Sequence, residues 1–390
     1  MKKKTVSALT AFGWVMISII FTFSMTLFGV SSYYKSRLGG ILQIAEIDRC
    51  IDKYFYKEVE NKDEMVDCAL EGYVAGLNDR YSRYQTLRQT ESSDQSHSGV
   101  QTGIGVTIEL IPETGYIKIS TVNEDSPASE AGLKENDILK SIDGNDIKEK
   151  GYDESLNIIK AAKPGSMMKM VVERDGKERE ITIKLGEIDI VSVSGEMLED
   201  KIGYIKIKMF NEKTPDQLKA EWDKLIFEGA NGIVFDIRNN GGGLVSSVEK
   251  CLDPLLPEGD IACAVYKNGQ TETIVKSDAE ETDVPMVVLM NEYSASGAEL
   301  FAASLRDYKN VPLVGKNSYG KGVMQDTFML SKSNSVVLTV AQYKTLKSDC
   351  YDGMGLAPDV EVETDTESET EPQLAAACDE LKKKINETKD

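Results

Sequence analysis

Histidine is almost absent from this sequence of 390 residues, in which His97 is the single example. The six cysteines are scattered, and no pair has the CxxC spacing of a metal or redox site. The sequence therefore predicts no metal and no cofactor. A Ser-His-Asp triad is not expected either. His97 lies in a polar segment far along the chain from the serine motif described below, whereas a catalytic base must reach its nucleophile.

Positive charge is also scarce, since 45 lysines and arginines stand against 65 acidic residues, for a net charge of −20. No basic stripe is present, so nucleic acid is excluded as a partner. The length predicts two or three domains. The cysteines leave two readings open: Cys50–Cys68 or Cys251–Cys263 could be disulfides if the bulk of the chain is exported, and the alternative is free buried thiols.

A long uncharged segment lies near the amino terminus, at residues 8–30, after Lys2, Lys3 and Lys4. As a helix it would be about 34 Å long, enough to cross a bilayer core. We expect a single-pass anchor in the cell membrane, with residues 1–7 in the cytoplasm and the bulk of the chain outside. A cleaved signal peptide is the alternative, although its apolar region is normally about 7–15 residues long.

The rest of the chain divides by pattern into four regions. Residues 31–98 are predicted to be helical with a polar linker at 91–98, and the amphipathic helices at 41–77 could form a homodimer. Short strands and turns predict a β domain at 99–187. Alternating strands and helices predict an α/β core at 188–362. An acidic tether and a terminal helix, which could also dimerise, follow at 363–390.

One serine motif directly follows an apolar strand predicted at 286–290. Ser294 and Ser296 lie in the turn between this strand and a helical pattern. A serine at a helix N-terminus is near free N–H groups that stabilise developing negative charge, which suits acyl transfer. The alternative is that either serine only caps the helix.

Lys321 is the candidate base, because burial can lower the pKa of a lysine toward neutrality. It is flanked by Gly320 and Gly322, and an exposed lysine in a glycine-rich loop is the alternative. A third glycine-rich loop, at 241–243, follows another apolar strand and could donate backbone N–H groups to an oxyanion.

Three motifs now stand in order: DIRNNGGG, NEYSASGAEL and SYGKGVMQ. Together they resemble the C-terminal processing peptidases, also called tail-specific proteases. The resemblance covers roughly residues 40–362. It implies a ClpP/crotonase-like α/β core, an inserted PDZ-like domain and a Ser-Lys dyad. Two positions depart from the family pattern: Ala298 replaces a third serine, and Arg80 stands where proline is usual.

The resemblance assigns roles to individual residues. Ser296 would be the nucleophile, Lys321 the base, and Gln325 the residue that orients the lysine. The oxyanion would be held by the N–H groups of Gly297 and, among the glycines at 241–243, Gly242. A PDZ-like loop would bind the carboxylate of a substrate tail; its residues are Gly103, Ile104, Gly105 and Val106.

The predicted function is therefore a membrane-anchored serine endopeptidase that cuts extracytoplasmic proteins near their C-termini. Its partners would be proteins or peptides with accessible tails. Two other classes stay open at this point. One is a non-catalytic PDZ adaptor on a peptidase-like core, and the other is a crotonase-like acyl-thioester enzyme.

Overall fold

The structure is a computed structural model that describes residues 8–124, 126–278, 281–363 and 371–387. The predicted cytoplasmic N-terminus and residues 364–370 of the predicted acidic tether lie outside the described residues. The chain divides into two units, Met1–Cys68 and Ala69–Asp390, and each is described by itself.

The first unit consists largely of one helix, α1 (Ala8–Tyr54). Its segment Phe12–Gly29 has a mean hydropathy of 1.8 and none of its residues is buried. Length and composition therefore fit a membrane span, and a signal sequence would pass the same criteria. The sequence predicted separate helices before residue 30 and after residue 40. The structure shows a single continuous helix, because no proline interrupts this stretch.

The next elements are α2 (Lys62–Ala75), β1 (Arg83–Gln85) and α3 (Leu87–Ser98). The prediction that residues 91–98 form a linker was wrong, because they are the last eight of the twelve residues of α3. This helix is stabilised at its start by a capping box: the Thr86 N–H donates to Gln89 Oε1 at 2.8 Å, and the Gln89 N–H donates back to Thr86 Oγ1 at 3.5 Å.

The β domain contains eight strands and three short helices among its described residues. They are β2 (Val100–Gly103), β3 (Val106–Leu110), β4 (Ile117–Val122), α4 (Pro127–Glu130), β5 (Ile138–Ile142), β6 (Asn145–Asp146), α5 (Ile147–Lys150), α6 (Tyr152–Ala161), β7 (Met167–Arg174), β8 (Lys177–Lys184) and β9 (Gly186–Asp189). The main sheet has the order β3-β4-β5-β7-β8, with β6 paired to β5, and β2 pairs with β9. Its core is aliphatic and is separate from that of the α/β core.

The α/β core follows. Its elements are β10 (Val193–Met197), β11 (Ile202–Ile207), α7 (Thr214–Phe227), β12 (Gly232–Asp236), α8 (Val245–Leu252), β13 (Gly259–Tyr266), β14 (Thr271–Ser277), β15 (Met286–Met290), α9 (Gly297–Lys309), β16 (Leu313–Gly315), β17 (Val323–Met329), β18 (Ser335–Thr345), β19 (Val360–Glu361) and α10 (Pro372–Glu387). The main sheet has the order β10-β11-β12-β15-β16-β19, and all its pairs except β10–β11 are parallel.

Both faces of the main sheet are covered, which explains why β15 is a continuous apolar run and why β12 is apolar up to Asp236. Successive side chains of a strand point to opposite faces. Phe235 and Val288 accordingly pack with α7, α8 and α9, whereas Val234 and Val287 pack against α10. In a second sheet, β18 pairs with β1, β13 and β17. Its strand β17 begins just after Lys321.

All six cysteines are free, so neither suggested disulfide is present. Cys50 and Cys68 are exposed, whereas Cys251 and Cys263 are buried. Burial raises the pKa of the Cys251 thiol to about 12, so this group stays protonated and unreactive.

Candidate active site

The three motifs converge because they leave neighbouring parallel strands. β12 pairs with β15, and β15 pairs with β16. The carboxyl ends of these strands therefore lie side by side, at the edge where α/β sheets usually bind ligands. The loops after them carry the glycine motif, the serine motif and the lysine motif.

Ser296 occupies a strained turn immediately before α9. Its backbone has φ 57° and ψ −121°, a conformation that a residue with a side chain rarely adopts. Its side chain is partly exposed, whereas the next residue, Gly297, is buried. The Gly297 N–H, the first of the helix, has no hydrogen-bond partner among the described residues. The turn thus presents a hydroxyl beside a free donor.

Ser294, the other candidate, is fully buried and holds the turn together. Its hydroxyl donates to the Ile237 carbonyl at 2.8 Å and accepts from the Asn291 N–H at 3.0 Å. The first bond joins the serine turn to the end of β12, and the second closes the turn on itself. Ser294 therefore has a structural role in this conformation, and Ser296 is the serine that faces the site.

The glycine loop lies directly against Ser296. Gly242 has φ 99°, and a Cβ there would lie 2.8 Å from Ser296 Cβ. Its N–H donates to Asn240 Oδ1 at 2.8 Å, so this predicted oxyanion donor is already engaged. The Gly243 N–H, by contrast, has no partner in the described part of the chain, and it lies 3.4 Å from the Cβ position of Gly297.

Sequence reasoning missed Glu299, which joins the serine turn to the lysine loop. This carboxylate is fully buried. Its Oε2 accepts from the N–H groups of Ser296 and Lys321, each at 2.8 Å. Its Oε1 accepts from the Gly320 N–H at 2.7 Å and from the Ser318 hydroxyl at 2.5 Å. The signal available was a glutamate three residues after the serine, the spacing of a capping box.

Lys321 is partly buried, and desolvation by burial, followed by repulsion from Arg83, lowers its pKa below the usual lysine value. Its Nζ lies 4.9 Å from the centroid of the Tyr81 ring. No hydrogen bond joins its side chain to Ser296 or to Gln325 within the described ranges. The Gln325 amide instead donates to the Val323 carbonyl at 3.2 Å.

Tyr343 is a second residue that sequence reasoning did not identify. It is fully buried, and its hydroxyl donates to the Lys321 carbonyl at 2.9 Å and lies 3.4 Å from Ser296 Oγ. Its N–H also donates to the Gly322 carbonyl at 3.0 Å. Tyr343 therefore contacts both the candidate nucleophile and the loop of the candidate base. No sequence motif marks it, because it lies within an ordinary strand.

The predicted tail-binding loop, Gly103 to Val106, borders a groove of about 150 Å³ in the β domain. Leu156 and Ile159 of α6 line the opposite side. Gly105 has φ 76°, and a Cβ there would lie 2.4 Å from Ser126 Cβ, so only glycine fits. The groove is narrow and apolar, with a backbone loop at its end.

Comparison with known proteins gives two domain matches. Residues 103–185 match the PDZ domain, and residues 201–362 match Peptidase family S41. Among solved structures, the photosystem II D1 C-terminal processing protease aligns with a TM-score of 0.47 at 24% identity. That alignment covers 81% of this chain and 86% of the other.

Curated relatives extend the match over most of the chain. The carboxy-terminal processing protease CtpA of Bacillus subtilis (strain 168) is 32% identical over 357 residues, 90% of this chain and 76% of the relative. A "Probable CtpA-like serine protease" of Staphylococcus haemolyticus (strain JCSC1435) is 30% identical over 336 residues, 85% of this chain and 67% of the relative. The chain therefore belongs to peptidase family S41 and, with its PDZ domain, is a serine-type C-terminal processing peptidase.

Proposed function

We propose that the chain is a membrane-anchored endopeptidase that cuts extracytoplasmic proteins near their C-termini, with Ser296 as nucleophile and Lys321 as base. The observation that carries this proposal is the buried Glu299 carboxylate. It accepts hydrogen bonds from the backbones of both residues at 2.8 Å and so fixes the two motifs together. Lowering of the lysine pKa by burial supports the same roles.

In the reaction, the Lys321 side chain leaves the Tyr81 ring and accepts the Ser296 proton in its neutral form. The serine oxygen then attacks the peptide carbonyl carbon. The protonated lysine returns this proton to the leaving amine as the C–N bond breaks, and water hydrolyses the acyl-enzyme. A rotation of the Gln325 side chain would let its amide orient the lysine.

The oxyanion is held by two backbone donors, and we assign these to Gly297 and Gly243. Both N–H groups lack a partner among the described residues, and they lie on adjoining loops. The resemblance favoured Gly242 as the second oxyanion donor, but its N–H donates to Asn240 Oδ1 instead. Donors that need no rearrangement stabilise a developing charge most effectively.

The PDZ groove is proposed to bind the substrate tail as an added strand along β3, with its carboxylate at the Gly103–Val106 loop. We further propose that the core has a ClpP/crotonase-like fold and that α1 anchors the chain in the cell membrane, with the catalytic part extracytoplasmic. Retention of the full chain in membranes after alkaline extraction tests the anchor. Recovery of a shortened, soluble chain would indicate a cleaved signal instead.

The dyad is tested by labelling the full chain with a fluorophosphonate probe and by measuring cleavage of an unstructured protein. We expect both to be abolished in Ser296→Ala, whereas Ser294→Ala, which removes a buried structural hydroxyl, should weaken both without abolishing them. Lys321→Ala should reduce cleavage by at least about 100-fold, as the loss of a general base does. Full cleavage by Lys321→Ala would refute the dyad, and a wild-type chain that binds tails without cleavage would be an adaptor.

A further inference from the structure

An arginine pair, Arg80 and Arg83, lies next to residues that contact the candidate active site. Arg80, which replaces the usual proline of the family pattern, donates from Nη2 to the Tyr319 hydroxyl. Its guanidinium lies 4.9 Å from the centroid of the Tyr319 ring and 5.2 Å from that of Tyr81. Two aromatic rings and one hydrogen bond thus hold an exposed cation in a defined position.

Arg83, at the start of β1, is the second cation. It is exposed, and its Nη1 donates to the Tyr81 carbonyl at 3.4 Å. Repulsion from its positive charge is, after burial, the second-largest cause of the lowered pKa of Lys321. Arg83 is therefore close enough to affect the candidate base. Both arginines therefore lie around Tyr81, the residue whose ring also contacts the Lys321 amine.

Neither arginine forms an ion pair within the part of the chain that the structure describes. The acid next in sequence, Asp79, does not neutralise them. Its Oδ2 accepts from the Ser82 N–H at 2.9 Å and from the Thr339 hydroxyl at 2.7 Å. The positive charge is therefore available to a ligand.

The backbone of Tyr319 links the arginine pair to the serine turn. The Tyr319 N–H donates to the Ser294 carbonyl at 3.0 Å, two residues before Ser296. The Arg80 guanidinium thus contacts Tyr319, whose backbone binds the serine turn, and Tyr81, whose ring also contacts the Lys321 amine. Both cations are therefore linked to the candidate dyad through two tyrosines.

We propose that Arg80 and Arg83 form a carboxylate-binding subsite at the entrance of the active site. The subsite selects peptides that carry an acidic group close to the bond that is cut. The carboxylate is either the free C-terminus of the substrate or an Asp or Glu side chain, since a guanidinium binds both alike. This inference rests on the proposed function and deepens it by naming a substrate class.

The test compares kcat/KM for four peptides of one sequence, in the full chain. They combine Glu or Gln next to the cut with a free or amidated C-terminus. We expect wild type to favour a carboxylate-bearing peptide over the neutral one by about tenfold. Because the PDZ groove is also proposed to bind a free C-terminus, the arm in which Arg80→Gln with Arg83→Gln loses the preference shows which carboxylate the arginines bind. The preference should reside in KM and weaken with salt, because exposed charges are screened.

Arg80→Gln with Arg83→Gln should bring the acidic-to-neutral ratio close to one. Arg179→Gln, an exposed arginine on β8 at the far edge of the PDZ sheet, is the matched control and should keep the wild-type ratio. Because the readout is a ratio within one variant, a general loss of folded enzyme does not mimic the result. An unchanged ratio in the double variant would overturn the proposal.

Binding of the same labelled peptides to Ser296→Ala, measured by fluorescence anisotropy, separates the two proposals. A triple variant combines Ser296→Ala with Arg80→Gln and Arg83→Gln. If it loses the preference for acidic peptides, the subsite is supported even when no peptide is cleaved. Cleavage of the neutral peptide by wild type, with equal anisotropy for acidic and neutral peptides, would retain the peptidase and reject the subsite.

Discussion

In the proposed dyad, the charge state of the Lys321 amine decides whether Ser296 can be activated. Burial and the nearby Arg83 guanidinium both lower the pKa of Lys321, whereas Glu299 and Asp79 raise it, and the net shift is downward. A base must be neutral to accept a proton, and the neutral fraction of an amine increases with pH. We therefore expect kcat/KM to rise with pH, with a midpoint below the ordinary lysine value of about 10.4.

Replacing Arg83 with Gln removes a charge that favours the neutral amine, so the midpoint of this rise should move to higher pH. The measurement is a pH profile of kcat/KM with the neutral peptide. Burial raises the pKa of Tyr343, so its phenol does not titrate in the same range. A pH-independent rate, or a midpoint that moves to lower pH in Arg83→Gln, would contradict the assigned base.

The residues that complete the site show the limit of sequence reasoning at this scale. Ser296 and Lys321 belong to short motifs with a family resemblance. Glu299 contacts Lys321 across 22 positions, and Tyr343 contacts Ser296 across 47 positions. Local patterns contain no information about such pairs, because the contacts arise only when the sheets assemble. The Lys321–Tyr81 contact is equally non-local.

At the scale of elements, the glycine loop after β12 must approach the turn before α9 without a side chain between them. A Cβ on Gly242 would lie 2.7 Å from the Gly297 N and 2.8 Å from the Ala295 carbonyl oxygen. Gly242 also has φ 99°, where a side chain is strained. Gly241 has neither restriction, since nothing lies within 4 Å of its Cβ position.

Gly242→Ala should therefore displace the serine turn and lower kcat/KM by about 100-fold or more, comparable to the loss of an oxyanion donor. Gly241→Ala, one residue away, should remain within about twofold of wild type. Peptide cleavage and fluorophosphonate labelling give the rates, and circular dichroism shows whether each variant is folded. Equal activity of the two variants would mean that the close contact between the loops is not required.

Elements with a strong hydrophobic pattern were predictable from the sequence, whereas elements stabilised mainly by capping and tertiary contacts were not. The strand at 286–290 appears as predicted, because a run buried on both faces is uniformly apolar. The helix over 91–98 was missed, because its sequence is polar and its stability comes from the Thr86 cap and from burial of Thr90 against Ser335. The length of α1 was also not predicted, because the amino-acid composition changes along the segment while the helix continues to Tyr54.

At the scale of the whole molecule, helix α10 packs against the main sheet of the α/β core. α10 covers the face of the main sheet opposite α7, α8 and α9, with Ala377 and Leu381 fully buried. Just before it, Glu371 forms an ion pair of 2.9 Å with Arg238, which also pairs with the buried Asp236. The C-terminal segment therefore supports β12, the strand that leads into the glycine loop.

This packing predicts that Leu381→Ala destabilises the core although it lies far along the chain from the serine. Deleting a buried leucine side chain costs about 3 kcal/mol, because apolar contacts are lost and a cavity remains. Urea unfolding of the full chain in detergent, followed by tryptophan fluorescence, should show a lower midpoint. Trp222, one of the two tryptophans, reports on the core because its ring stacks on Phe235 at 6.1 Å. Lys383→Ala, an exposed change on α10, should shift the free energy of unfolding by less than about 0.5 kcal/mol. If both variants unfold at the wild-type midpoint, α10 does not stabilise the sheet and its contact with β12 has no energetic consequence.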